Sequence, residues 1–186
     1  MFMLPPIPLD SLALIRRFYP DDGPLRRLLV EHSRAVARRA LHIAGKHPEL
    51  RLDTHFLFHA AMLHDIGICH TDAAGIHCHG TQPYLLHGAI GAAMLRDEGL
   101  EAYARVCERH TGTGLTADQI TAQGLPLPAR DLCPETEEEQ VVCYADKFYS
   151  KSHPERTKTV AQAASSLARF GEEGVHKFLA WAERYE

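Results

Sequence analysis

An all-α bundle is the fold class this sequence predicts. Apolar residues recur at helical spacing along most of the chain, strand-like alternation is almost absent, and Pro, Gly and capping residues fall between the periodic stretches. After the Pro-rich lead MFMLPPIP, the stretch DSLALIRRFYP predicts a short helix stopped at Pro20. A second helix begins near Pro24 and runs through LRRLLVEHSRAVARRALHIAGKH. Leu28, His32, Ala35, Arg39 and His42 or Ile43 trace one stripe on it, which Leu29, Val36, Ala40 and Ala44 widen into a buried face. Asp53 and Thr54 cap a third helix, HFLFHAAMLHDIG, which is apolar almost all round, hence central, and which Gly67 should end.

From Cys69 to Pro83 the pattern fails, and Gly75, Gly80 and Pro83 punctuate a loop rich in His and Asp. LLHGAIGAAMLRDEG and LEAYARVCERH read as two helices separated by Gly99. The next stretch is irregular, with at most a short helix after Thr116, and then EEEQVVCYADKFYSK opens on an acidic first turn suited to a helix N-terminus. Val142, Asp146 and Tyr149 would share a face of that helix. Two amphipathic helices follow Pro154, the last carrying Val175, Phe178, Leu179 and Ala182 on one face. The expected organisation is one domain over residues 1–186, with a core at about 24–150 and C-terminal helices over 154–186 packed on it.

Composition narrows the function classes. The chain has 186 residues, 45% hydrophobic and 24% charged, which are globular values. With a net charge of -4 and no basic block, no nucleic-acid partner is expected. No apolar run approaches the ~20 residues of a membrane span, and the N-terminus lacks a secretory pattern, so a soluble cytoplasmic protein is expected. Cys69, Cys78, Cys107, Cys133 and Cys143 are odd in number and form no CxxC, so reduced thiols are expected. Histidine is over-represented, with 13 in the chain and a concentration between His55 and His110.

Ligand-type residues occupy positions where a Leu would ordinarily sit. His64 and Asp65 lie near the end of the most apolar helix, where a carboxylate is costly unless paired or bound to a cation. His32 sits on the buried stripe of the preceding helix and Asp146 on VVCYADKFY. Three such helices converging make a buried metal site the preferred reading. His87 and His110 stand at ends of predicted helices, where each could cap a helix or point into a shared cavity.

H…HD…D, with HDIG at the doublet, resembles the HD superfamily of metal-dependent phosphohydrolases. The motifs LRRLLVEHSRAVARRAL, AAMLHDIG and VVCYADKFYSK carry the likeness from about Leu28 to Tyr149. The resemblance implies an HD-domain helical bundle with His32, His64, Asp65 and Asp146 as metal ligands. LLHGAIGA, ERHTGTG and YADK are similar to the HD-type symmetrical diadenosine tetraphosphate hydrolases. That likeness implies two divalent ions: His32, His64 and Asp146 on one, His87 and His110 on the other, Asp65 bridging. Such N/O donors suit iron, manganese or cobalt and do not exclude zinc or magnesium.

Many superfamily members read HDxxK, but here the lysine's place is taken by Ile68. Lys147, Lys151 and Arg109 are the nearest replacements in sequence, although Lys151 also reads as part of a solvated helix face. The expected reaction is hydrolysis of a phosphoester or phosphoanhydride by a metal-bound hydroxide, on a small phosphorylated metabolite with a nucleotide favoured. Asp65, His110 and Lys147 are the candidate catalytic residues. Arg109, Thr111, Lys147, Lys151, His70 and His79 are the candidate substrate contacts. The same ligand order resembles HD-fold mixed-valent di-iron oxygenases, and a non-catalytic metal module is the third reading. Apolar positions on the final helices could pair two copies into a homodimer or pack on the bundle.

Overall fold

The computed structural model describes residues 9–168 and 171–186, so the Pro-rich lead lies outside the described residues. Helices dominate, in the order α1 (Ser11–Phe18), α2 (Pro24–Lys46), α3 (Thr54–Leu63), α4 (His87–Asp97), α5 (Glu101–Arg109), α6 (Ala117–Ala122), α7 (Glu137–Asp146), α8 (Val160–Leu167) and α9 (Glu172–Tyr185). Local chemistry explains most boundaries. Asp10, Asp53, Thr116, Thr136 and Thr159 each accept a backbone N–H of the first turn that follows. Pro24 opens α2, and Gly99, at φ 73°, turns the chain between α4 and α5.

The core is divided. One apolar cluster joins α2, α3, α7, α8 and α9 through residues such as Val36, Leu57, Val142 and Phe178. A second joins α1, the end of α3, α4 and α5 through Ile15, Leu63, Ile66 and Leu95. Helix α3 contributes to both, and its face from Leu57 to Leu63 is buried.

Several boundaries and faces differ from the sequence expectations. Helix α3 ends at Leu63 instead of running to Gly67, and a 3-10 turn over Ile66–His70 follows. Gly67 therefore is no helix cap. A Cβ there would lie 2.2 Å from the His87 carbonyl oxygen and 2.4 Å from the Gly91 nitrogen, so close approach to α4 is what demands glycine. Residues 69–83 are partly ordered as a small sheet, in which β1 (Thr71–Ala73) pairs with β2 (Cys78–His79) and β3 (Gln82–Pro83). Tyr149 is not on the α7 face shared by Asp146, because α7 stops at Asp146. The chain then forms a hairpin of β4 (Tyr149–Ser150) and β5 (His153–Thr157), so the C-terminal helices begin at Val160. On α2, His42 is exposed and Ile43 buried. On α9, Leu179 is 40% exposed, and Trp181 and Tyr185 take the buried face with Phe178 and Ala182. All five cysteines are free thiols.

Candidate metal centre

Four helix ends and one helix face bring the ligand-type residues together. His32 projects from the middle of α2, where its neighbours Leu29, Ser33 and Val36 are buried with it. His64 and Asp65 follow the last residue of α3, and Asp65, at φ -107° and ψ 12°, has already left the helix. Leaving the helix is what lets adjacent side chains face one point instead of diverging by roughly 100°. His87 opens α4, His110 follows α5, and Asp146 ends α7. The turn bearing the doublet is pinned from outside: the Tyr19 hydroxyl donates to the Ile66 carbonyl at 2.6 Å and accepts from the Cys69 N–H at 3.1 Å.

The donors form two clusters that share Asp65. In the first, His32 Nε2 lies 3.0 Å from Asp146 Oδ1 and 3.2 Å from Asp65 Oδ2, while His64 Nε2 lies 3.0 Å from Asp65 Oδ2. In the second, Asp65 Oδ1 is 3.3 Å from His87 Nε2 and 3.4 Å from His110 Nε2. His64, Asp65, His87 and His110 are almost wholly removed from solvent.

Three of the histidines are oriented identically. The Nδ1 atoms of His64, His87 and His110 each lie 2.7 Å from the carbonyl oxygen three residues earlier, of Ala61, Tyr84 and Cys107. A carbonyl only accepts, so each ring carries a proton on Nδ1 and turns Nε2 inward. The lone pairs of His87 and His110 then face each other at 3.0 Å. Two acceptors at that distance beside a carboxylate call for a cation between them. His64 Nε2 and Asp65 Oδ1 are buried without a hydrogen-bond partner, which fits the same requirement. The residues present therefore fit divalent ions, through imidazole nitrogens and carboxylate oxygens with no thiolate.

Electrostatics agree. Burial pushes the His87 pKa down to about 3 and lowers that of His110, so both are neutral ligands at neutral pH. Burial also opposes charge on His64, but Asp65 and Asp146 outweigh it and raise its pKa to about 9: the carboxylates draw in positive charge. Burial disfavours charge on both carboxyls too, yet His64 and Lys151 hold Asp65, and Lys147 and His32 hold Asp146, well below the usual carboxylate range.

The centre opens into a cavity of about 780 Å³ whose walls include Tyr84, Thr111, Gly112, Tyr149, Ser150 and Leu167. Lys147, Lys151 and Lys158 all line it, and the chain has only Lys46 and Lys177 besides. Lys147 Nζ lies 2.7 Å from Asp146 Oδ2 and donates to the His110 carbonyl at 2.8 Å. Lys151 Nζ lies 2.6 Å from Asp65 Oδ2, an ion pair that lacks hydrogen-bond geometry. Ile68, in the HDxxK lysine position, is fully buried in the second apolar cluster. It is thus Lys151, from the β4–β5 hairpin, that brings an ammonium to Asp65.

Three expected substrate contacts are elsewhere. The Arg109 guanidinium is buried among Glu135, at 2.7 Å, and Glu139, at 3.5 Å, and does not line the cavity. His70 borders a separate shallow pocket with Gly80 and Gln82, and His79 is exposed on β2. The loop reaches the cavity instead through Ala73, Gly75 and Ile76. The sequence reading also missed Tyr84, Tyr149, Ser150, Ser152, Lys158 and Ser166 on its walls. Only the Lys147–Lys158 spacing could have signalled part of that set.

The family model for the HD domain matches residues 29–150, a span containing every donor described above. An uncharacterized protein of Methanocaldococcus jannaschii is 36% identical over 123 residues, 64% of this chain and 65% of that protein. The tRNA (cytidine(56)-2'-O)-methyltransferase of Picrophilus torridus is 33% identical over 142 residues, 76% of this chain and 36% of the enzyme. Its counterpart from Thermoplasma volcanium is 30% identical over 161 residues, 81% of this chain and 41% of the enzyme. The chain thus spans less than two thirds of the length of each of these relatives, and no solved structure matches it. With the family model covering most of the chain and the histidine–aspartate doublet at the centre of the donor set, the chain belongs to the HD domain family.

Proposed function

We propose that the protein is a metal-dependent phosphohydrolase acting on a phosphoester or phosphoanhydride of a small phosphorylated molecule, with nucleotides the favoured class. The observation that carries this reading is the continuity of the donor clusters with a cavity lined by Lys147, Lys151 and Lys158. A basic cavity opening on buried metal donors suits an anionic substrate. His32, His64 and Asp146 would hold one ion and His87 and His110 a second, with Asp65 between them; iron and manganese are the preferred metals. When bound, such ions supply Lewis acidity toward a phosphoryl oxygen and toward the attacking water.

The chain's own residues do the rest. Burial opposes charge on Lys147 and Lys151, but the Asp146 and Asp65 carboxylates hold both pKa values above the usual lysine value. Both therefore stay charged and act as phosphate clamps; their protons are held too tightly for general acid work at neutral pH. His110 is tied at Nδ1 and committed at Nε2, which makes it a ligand and not a proton donor. Thr111 and Gly112 border the cavity beside it and offer a hydroxyl and backbone contacts. Burial raises the Tyr84 pKa to about 12, leaving a protonated hydroxyl facing the same space.

The resemblance of LLHGAIGA and ERHTGTG to the diadenosine tetraphosphate hydrolases supports a nucleotide substrate. The two methyltransferase relatives are named for methyl transfer to tRNA, but a match of 142 residues is too long to avoid the HD region, and the likeness is read as one of HD units. The test is release of phosphate or nucleoside phosphate from a nucleotide panel by metal-loaded protein. Activity is expected with manganese under strict anaerobiosis and is abolished in Asp65→Ala. Silence on every nucleotide, or a strict need for dioxygen, overturns the proposal, the second in favour of the oxygenase reading.

A further inference from the structure

The net charge of -4 conceals a strongly basic face. Between residues 16 and 39 lie seven arginines, no lysine and three carboxylates. Arg16, Arg26, Arg27, Arg34 and Arg38 line a groove of about 590 Å³ between α1 and α2, floored by Leu12, Ile15 and Val30. Asp22 occupies Arg26 at 2.9 Å and Arg27 at 3.4 Å, and Glu31 also borders the groove. Arg16, Arg34 and Arg38 are exposed and have no ion-pair or hydrogen-bond partner among the described residues. Elsewhere the pattern is opposite: Arg96, Arg105, Arg109, Arg130 and Arg184 are each matched to a glutamate. Those five are neutralised, whereas these three stand open along one groove.

The groove is separate from the metal centre. Arg34 and Arg38 stand two and six residues beyond His32 on α2, roughly 200° and 240° around the helix from it. Arg34 and Arg38 are also one turn apart, about 6 Å along the axis, so they present two guanidinium forks in a row with Arg16 opposite. Guanidinium forks match the paired oxygens of a phosphate, and a row of them matches a chain of phosphates. Among the described residues no aromatic lines the groove, so they offer no platform on which bases stack. The large exposed hydrophobic side chain among the described residues is Leu179, on α9, so the described residues of this face supply none of the apolar anchors a lipid surface would take up.

We propose that the α1–α2 groove is a docking site for a nucleic-acid backbone, gripping successive phosphodiesters through Arg16, Arg34 and Arg38 without reading bases. It goes beyond the hydrolase reading and does not depend on it. The test is fluorescence anisotropy of the full chain with a labelled RNA hairpin, and in parallel a labelled DNA duplex, between about 50 and about 200 mM KCl. Binding is expected to weaken steeply with salt. The combined Arg16→Ala, Arg34→Ala, Arg38→Ala variant should bind at least about tenfold more weakly, with a log–log salt slope shallower by about two. Its melting temperature and phosphate release should match those of the parent protein, since all three side chains are exposed and outside the cavity. Preference for the hairpin or the duplex identifies which nucleic acid is held. The proposal is overturned if neither binds at the lowest salt, if the variant binds equally well, or if phosphatidylserine vesicles are bound through these arginines and nucleic acid is not.

Discussion

Asp65 is the residue on which the centre turns, because each of its oxygens faces a different set of imidazoles. Asp65→Asn preserves shape but removes the charge that binds both clusters together. Supporting residues around metal sites are worth about 10–100-fold in affinity, and a shared carboxylate should be worth no less. Metal per chain after dialysis is therefore expected to collapse in Asp65→Asn; retention of the full complement would remove Asp65 from the ligand set. Lys151 makes a different prediction. Loss of a charge-assisted contact costs about 1.5–3 kcal/mol, so Lys151→Met should raise KM by roughly ten- to hundredfold while metal content holds. An unchanged KM with loss of metal would instead make Lys151 a structural partner of Asp65. The six donors were legible in the sequence as ligand-type residues on apolar or helix-terminal positions. The sequence offers Lys151 as a stand-in for the HDxxK lysine and as a substrate contact, but its placement was not legible: a helical reading of VVCYADKFYSK points it to solvent, whereas α7 stops at Asp146 and the hairpin folds the lysine back.

At the scale of elements, the turn after α3 is the most tightly constrained junction. Gly67 meets the α4 backbone and Gly88 meets the Cys107 carbonyl of α5, where an added Cβ would sit 2.5 Å from the oxygen. Gly67→Ala must separate the doublet's turn from α4, at a cost of roughly 1–3 kcal/mol, and should also weaken metal binding because Asp65 and His87 lie on the two sides moved apart. Denaturant midpoints and metal content of the variant check this; wild-type values for both would show that the turn has slack. The α1–α3 junction carries a pH dependence. Burial, with His55 nearby, lowers the His59 pKa, and its Nδ1 lies 3.1 Å from the Ser11 hydroxyl. A histidine depressed in the folded state contributes stability that is complete above about 6.5 and is lost as the pH falls, since the unfolded chain then takes up the proton more readily. Between pH 7.5 and 5.5, chelator-treated His59→Gln should lose less melting temperature than the parent; parallel losses would refute it. Helix identities and caps were readable here because they are local. The end of α3 was not, because close approach of the distant α4 backbone fixes the turn there, and the small sheet and the β4–β5 hairpin were not, because strands of 2 to 5 residues are too short to show an alternation.

At the scale of the molecule, the described residues form two large apolar clusters and a small one at Leu115, Ile120 and Leu132, and the donors lie where the two large ones meet. Asp146 and His32 are borne by α7 and α2, which build the first cluster, while His87 and His110 are borne by α4 and α5, which build the second. Lys147 and Lys151 pair with the buried carboxylates of that seam, Asp146 and Asp65, and an ion bound between the same carboxylates and the imidazoles would link the two halves of the core. Binding that favours only the folded state adds about 2.7 kcal/mol at a ligand concentration of 100 Kd. For a chain of this length each kcal/mol raises Tm by about 2–4 °C, so saturation should raise it by roughly 5–10 °C. Calorimetry of chelator-treated protein titrated with manganese or ferrous ion measures the shift, and the loss of that shift in Asp65→Asn assigns it to this centre. Lys151→Met should retain it. Because both halves need the shared carboxylate, the parent protein should melt in one transition that moves as a unit. A second transition that metal leaves in place would show that the ion sits within one half of the core and does not join them.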